Sequence, residues 1–448
     1  MTSIVTTNRL AFGLLIAILV WVPIPLGSNR VWAWSVLEIM CFSLALLSLL
    51  QAWKTPGIYK AHLRHFMPLW ICLSALPVMA FCQSLIGLTQ LNIFNTPQED
   101  LGRAELLALL GFSYVAFSFS VAVLVRTPKR LKILVTTLVF SAVFQSLYAS
   151  TLMFTGLSSS PIFDIAITNR ANGSFVYHNH LANYLALCAA MGIGLMVSQF
   201  KNASAGSIKL KVHDWLNAMT GRKMVLRLSL IVIVIALVLT RSRMGNAAFF
   251  SSLIGTGIIA MLFYKSRPKA LQYFIVSIFI IDIFVVGSLV GLEKVKQRLE
   301  ETNIATETRD DVVSQSLPML FDKPFVGHGA GSFYTAFNRY QTADLGGFYD
   351  HTHNDYLQFS LEYGIPAFLL ACAGVLWSFF LTIKTMRNRQ SQTMKGISFG
   401  CCMAILVMII HCAVDFNLQA AANALTFISV LTVSVVCWIM PNPRSHAR

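Results

Sequence analysis

Apolar runs long enough to cross a bilayer recur along almost the whole of this chain, and nothing else constrains its fold as strongly. A spanning helix needs about 20 apolar residues, within a range of roughly 17 to 25, because the hydrocarbon layer is about 30 Å thick. Such runs lie near 10–27, 31–52, 67–88, 105–125, 131–155, 181–200, 224–240, 245–264, 271–291, 366–383, 397–416 and 420–440. Lipid cannot satisfy exposed backbone polar groups, so runs of this length must be helical. The expected fold is an all-α polytopic membrane protein of about 12 transmembrane helices, with 1–448 forming a single membrane domain. With 56% hydrophobic and only 12% charged residues, the composition excludes a soluble domain of this size. The first run leads into Pro23, Pro25 and the next span without a small-residue cleavage site, and reads as an uncleaved helix.

The net charge of +15 would suit a nucleic-acid partner, so its placement decides. With the N-terminus in the cytoplasm, one set of loops holds 22 basic residues, from Arg9 through Lys54, Arg130 and Arg387 to Arg448, against the single acid Asp214. The opposite loops hold more acids than bases. This is the positive-inside pattern: it puts both termini in the cytoplasm and leaves no charge for nucleic acid to explain. All nine cysteines fall in or beside apolar runs, which argues against a disulfide framework.

Two outer segments break the rhythm of short loops: about 156–180, and the longer 292–365. Within the second, Leu292 to Glu301 reads as an amphipathic surface helix. Thr308 reads as the N-cap of another, with Asp310 and Asp311 in its first turn and Pro318 kinking or ending it. Gly327-His-Gly329-Ala-Gly331 forms a tight loop, with no preceding strand to make it a nucleotide site. A further short helix is expected to carry His353 near its start and Glu362 near its end.

Polar side chains collect at the outer ends of the runs in five separate stretches. These contain Arg170, Asn172, His178, Asn179 and His180; Arg241, Ser242 and Arg243; Arg309; His351, His353, Asn354 and Asp355; and His411, Asp415, Asn417, Gln419 and Asn423. Their convergence would build a composite site at the membrane surface. Arg241 and Arg243, between two apolar runs, either meet an anionic ligand through forked guanidinium donors or snorkel to headgroups and pair with loop acids. His351 and His353 beside Asp350 and Asp355 suit proton transfer near neutral pH, or alternatively metal ligation. Glu38 and Asp282, acids inside runs, open the alternative of a multi-span transporter of a small solute or lipid-linked sugar. Against it, the polar residues lie on one face and no internal repeat is visible.

Four segments together resemble the O-antigen ligase and polysaccharide polymerase superfamily. They are His353-Asn354-Asp355-Tyr-Leu-Gln with Glu362-Tyr-Gly364; Arg309 followed by Lys323-Pro-Phe-Val-Gly327-His-Gly329-Ala-Gly331-Ser-Phe333; Thr240-Arg241-Ser242-Arg243; and Gly173-Ser-Phe175 with Asn179-His180. His411-Cys-Ala-Val-Asp415-Phe-Asn417 also fits, so the resemblance covers about 165–425. Departures are the absence of a Trp shortly after Arg309 and the Met244 between Arg243 and Gly245.

The resemblance implies a GT-C-like helical bundle in the bacterial inner membrane, with 292–365 as the periplasmic loop that carries the His-Asn motif. It implies a metal-independent, inverting glycosyl transfer on the periplasmic face, without cofactor. The donor would be an undecaprenyl-diphosphate-linked glycan and the acceptor a sugar of lipid A core or of a growing polysaccharide, in contact with membrane lipids. His353, Arg309 and Arg243 would be catalytic; Arg241, Asn354, Arg170, Asn179, His180, His351, Glu362, His411 and Asp415 would bind substrate. Ligation and polymerisation are not separated by these motifs.

Overall fold

A computed structural model describes residues 2–88, 100–200, 221–265 and 308–441. Among the described residues the chain is helical, with only an isolated antiparallel bridge, Ser159 to Ala166, outside helices and turns. The long helices are α1 (Thr2–Trp21), α2 (Val31–Lys54), a short connecting α3 (Pro56–Arg64), α4 (Met67–Leu88), α5 (Leu101–Leu124), α6 (Pro128–Phe154), α7 (His178–Val197), α8 (Arg222–Leu239) and α9 (Arg243–Phe263). After the outer body come α12 (Ile365–Asn388), α13 (Gln392–Cys412) and α14 (Ala421–Ile439); the body itself contains α10 (Thr308–Asp322) and α11 (Asp355–Tyr363). Nine of the described helices are long and apolar enough to cross a membrane. The expected run 271–291, the surface helix 292–301 and Asp282 lie outside the described residues.

Helix starts follow local chemistry. Asp100, Thr127, Ser242, Asn354 and Ser391 each accept a backbone N–H three residues on, satisfying a donor that the first turn leaves open. Pro128 occupies the first turn of α6, where its missing N–H costs nothing.

The bundle is built around three helices. Residues of α7, α13 and α14 are almost all buried, whereas α2, α4 and α12 turn most of their surface outward, with Ile39, Leu46, Leu376 and Phe380 exposed as lipid-facing side chains. No hydrophobic effect drives helices together inside lipid, so close packing must. Gly396 and Gly400, four residues apart on α13, supply it: a Cβ on Gly396 would lie 2.3 Å from the Ser198 nitrogen, and one on Gly400 2.8 Å from the Ala190 carbonyl. On the α4–α5 contact, Gly111 meets Pro77 in the same manner.

The outer body has its own small core of Val312, Met319, Phe333, Phe337, Leu357 and Leu361. Pro318 does not end α10, which continues to Asp322. Proline removes its own N–H bond and crowds the carbonyl one turn back, but Val312 and Met319, buried on either side of it, anchor the helix through this point. The glycine loop is a dock onto α11 and α4. His328 N–H donates to Leu361 O at 2.8 Å, Gly329 N–H to Glu362 O at 3.2 Å, and Ala330 N–H to Gln83 Oε1 at 2.9 Å. Gln83 Nε2 returns bonds to Val326 O and Glu362 O at 2.7 and 2.8 Å. Gly327 has φ +69°, and a Cβ there would strike the Glu362 carbonyl at 2.3 Å, so glycine is required by both conformation and space.

Candidate functional site

The start of α7, the end of α13 and the start of α14 meet at one mouth of the bundle, and the body brings α10 and α11 to the same place. At the centre is Asp415, fully buried in the turn between α13 and α14. Asn179 Nδ2 donates to Asp415 Oδ2, and Phe416 N–H donates to Oδ1 at 3.0 Å. His353 Nδ1 stands 3.8 Å from Oδ1 and His411 Nε2 4.0 Å from Oδ2, ion-pair rather than hydrogen-bond distances. Burial alone would push the Asp415 carboxyl up; the His353, His411 and His180 imidazoles and the Phe416 N–H outweigh it and hold the group below its ordinary range, ionised at neutral pH.

Phe416 organises the imidazoles. His351 stacks on its ring at 4.3 Å and 20°, Tyr177 lies near-parallel at 5.5 Å, and His180 and His353 present edges at 4.8 and 4.9 Å. His180 Nε2 also meets the Phe416 carbonyl at 3.2 Å. From Tyr177 the network reaches the arginines: its hydroxyl accepts from Arg309 Nη2 at 2.9 Å and from Asn179 Nδ2 at 2.8 Å. Arg170 Nη1 contacts His178 Nε2 at 2.8 Å, and the His178 ring packs on Tyr177. Burial pushes the Tyr177 phenol up, with Asp415 adding to it, so it stays protonated.

The turn between α8 and α9 joins through the backbone, Ala171 N–H donating to Leu239 O at 3.1 Å. Gly245 lets α9 approach: a Cβ there would lie 2.7 Å from Ala182 and 3.2 Å from the His411 ring. Arg241 and Arg243 are exposed on this turn. Arg241 has φ +51° and His353 φ +55°, a left-handed backbone that bulky residues adopt at a cost of about 1–3 kcal/mol and that concentrates at functional sites.

Several expected residues have other placements. His353 precedes α11 instead of starting it, and Asn354 is the helix cap, its Oδ1 accepting from Leu357 N–H at 3.1 Å. Glu362 lies at the far end of α11, under the glycine loop, and is linked by hydrogen bonds to the cluster through Gln358. The Gln358 amide donates to Glu362 Oε1 at 3.1 Å and lies 2.9 Å from His351 Nδ1, while its Oε1 accepts from Thr352 N–H at 3.3 Å. Burial pulls the His351 imidazole down to about 4, so it is neutral. Glu38 is buried within α2, away from these groups. Among the described residues, no group of three or more His, Cys, Asp or Glu is arranged to hold a metal ion.

Sequence reasoning missed Tyr177, Asn183, Gln358 and Phe416. Asn183 Nδ2 meets His411 Nδ1 at 3.1 Å; its signal was a polar stripe on α7, one turn beyond Asn179 and His180. Phe416, between two polar residues at a span end, looks like any interfacial aromatic and carried no signal.

A helical membrane bundle with acid, imidazoles and arginines gathered at one mouth defines a membrane protein with a polar site at its surface. Residues 228–372, 145 of the 448, match the family model described as O-Antigen ligase, so about a third of the chain is similar to that family. No curated protein matches it. The matched stretch contains Arg241, Arg243, Arg309 and the His351 to Glu362 segment, while Asn179, His180, His411 and Asp415 complete the cluster from outside it.

Proposed function

We propose that this chain transfers a glycan from a lipid-linked diphosphate to an acceptor sugar on the periplasmic face of the inner membrane. The observation that carries the reading is the gathering of His353 and His411 around the ionised Asp415, with Arg309 joined to the same group through Tyr177.

His353 is the base. Its Nδ1 side faces Asp415, which stabilises the imidazolium, and its Nε2 takes the proton of the acceptor hydroxyl as the oxygen attacks the anomeric carbon. The bond from that carbon to the diphosphate breaks, and the leaving group carries away the electron pair. Arg309 and Arg243, with Arg170 and Arg241 around them, meet the charge that develops there; guanidinium suits a phosphate because it stays charged and offers paired donors. A single displacement inverts the anomeric configuration, and charge supplied by arginines makes the step independent of a metal. Asn179, His180 and His411 hold Asp415 and the acceptor side, His351 and Glu362 support the wall through Gln358, and Asn354 fixes the start of α11.

The test is transfer by purified protein in proteoliposomes, from a polyprenyl-diphosphate glycan to either lipid A core or a second lipid-linked glycan, with and without a strong chelator. We expect product with one acceptor, undiminished by chelator; activity lost and restored by added magnesium, manganese or zinc would replace the arginine mechanism. Orientation is read separately: Thr342→Cys is labelled by an impermeant thiol reagent from the periplasm and Asn388→Cys is not, and the reverse pattern would move the site to the cytoplasm.

A further inference from the structure

Beneath the cluster, inside the bundle, lies a cavity of about 370 Å³ that the transfer chemistry does not use. Its walls come from α4, α5, α12, α13 and α14, and are apolar along most of their length, with Leu76, Leu110, Val375, Phe427 and Leu431 among them. Its polar end is formed by Asp355 and Gln419. Asp355 is fully buried: Oδ2 accepts from Leu418 N–H at 2.9 Å, Oδ1 has no N–H or O–H partner, and the Cys412 thiol, a weak donor, lies beside the carboxyl. Gln419 Nε2 is likewise buried without a partner. The Asp355 N–H donates to Asp415 O at 3.2 Å, so this end of the cavity abuts the cluster.

We propose that this cavity is a binding site for the hydrocarbon chain of a lipid, whose first oxygen accepts hydrogen bonds from Asp355 and Gln419. Apolar walls on both sides of such a space lose contacts unless a chain fills it. The surrounding bilayer supplies chains at high concentration. The polar end recognises an oxygen acceptor because both groups there are donors. Burial raises the Asp355 carboxyl to about 8, so it is protonated at neutral pH, and with Oδ2 already accepting from Leu418 the proton sits on Oδ1. A charged head would meet no cation at this end. Among the groups beside Asp355, Asp415 and Glu362 are acidic and oppose its ionisation, while the Leu418 N–H and the Cys412 thiol favour it. The proposal goes beyond glycosyl transfer and stands without it, since its readout is binding.

The experiment is native mass spectrometry of the detergent-purified full chain titrated with two probes, a polyprenyl monophosphate and a diacyl phospholipid. Ala371→Phe and Ala424→Phe fill the cavity from different helices and are expected to weaken one probe at least tenfold; which probe responds identifies the source of the chain. Asp355→Ala is expected to weaken the same probe severalfold, whereas Asp355→Asn, which keeps a neutral donor, retains it. Wild-type binding should also fall as pH rises through about 8, and binding by Asp355→Asn should not. If both probes bind both filled variants as they bind the wild type, with the variants' helical content unchanged, the cavity is not a lipid site. Loss of binding in Asp355→Asn equal to that in Asp355→Ala would overturn the hydrogen-bonding role assigned to the carboxyl.

Discussion

Two buried polar regions lie within one short helix of each other, at the two ends of α11, and they are built on opposite principles. At the far end, the glycine loop, Gln83 and the Glu362 carbonyl close a compact set of bonds of 2.7 to 3.2 Å between main-chain groups and one amide. At the near end, His353 and His411 stand 3.8 and 4.0 Å from Asp415, and the buried His353 Nδ1, His411 Nε2 and Asn183 Oδ1 make no hydrogen bond. A satisfied network fixes geometry, while unsatisfied buried groups cost free energy unless something else repays them. The first region is a closed network, and the second leaves the open bonding capacity that the proposed transfer site requires.

The largest expected effect that tests this division is at the loose end. His353→Ala should lower glycan transfer by about 100- to 10,000-fold, the range of a lost general base, while leaving the protein inserted and abundant. Near-wild-type product from this variant in a strain lacking the native chain would remove the base assignment. At the satisfied end the sign reverses: Gly364→Ala should damage assembly before chemistry. Gly364 has φ +80°, and an added Cβ would lie 2.2 Å from the Phe325 carbonyl, so the loop or the start of α12 must shift. A loss on the order of 3 kcal/mol is expected from the strained backbone and the overpacking together, read as a lower melting temperature in detergent. Unchanged melting with reduced transfer would mean that the dock takes part in the reaction.

Much of the fold was legible in the sequence, for physical reasons that differ by region. The spans are visible because crossing lipid requires length and apolarity and little else, so α2, α4 to α7, α9 and α12 to α14 fall where the runs do. His353, Arg309 and Asp415 were visible because polar groups at the ends of apolar runs are costly without a purpose. The distinction between ends of α11 was not visible. Asn354 and Glu362 are as polar as His353, and only the fold shows one capping a helix and the other lying under a loop. Gln83 and Glu362 are 279 positions apart, and no local pattern announces their bond. Phe416 and Tyr177 escaped because stacking on an imidazole leaves no periodicity.

A smaller effect sharpens the link between the arginines and the cluster. Arg309→Lys keeps the charge but loses the planar fork, one arm of which bonds Tyr177, and should reduce the proposed transfer about tenfold. The loss should appear in kcat more than in KM, since the charge it meets develops as the diphosphate leaves. Wild-type activity in the Arg309→Lys variant would show that a point charge suffices.

The smallest expected effect is a pH dependence confined to the satisfied end. Burial raises the Glu362 carboxyl to about 7, against opposing bonds from Gln358 and from the Gly331 and Phe333 N–H groups. An unfolded glutamate releases its proton near pH 4.3. Between those values the folded chain holds a proton that the unfolded chain has lost, so this group makes stability fall as pH rises from about 4.5 to about 7, and its cost is constant above that. Glu362→Gln keeps the shape and the neutral state, and should remove this part of the slope, raising the melting temperature by a few degrees at pH 8 relative to the wild type and leaving it nearly equal at pH 4.5. Melting curves in detergent across that window measure it. A wild-type stability that rises through the same window and flattens in Glu362→Gln would mean that Glu362 is held ionised, and that the two ends of α11 share one electrostatic design after all.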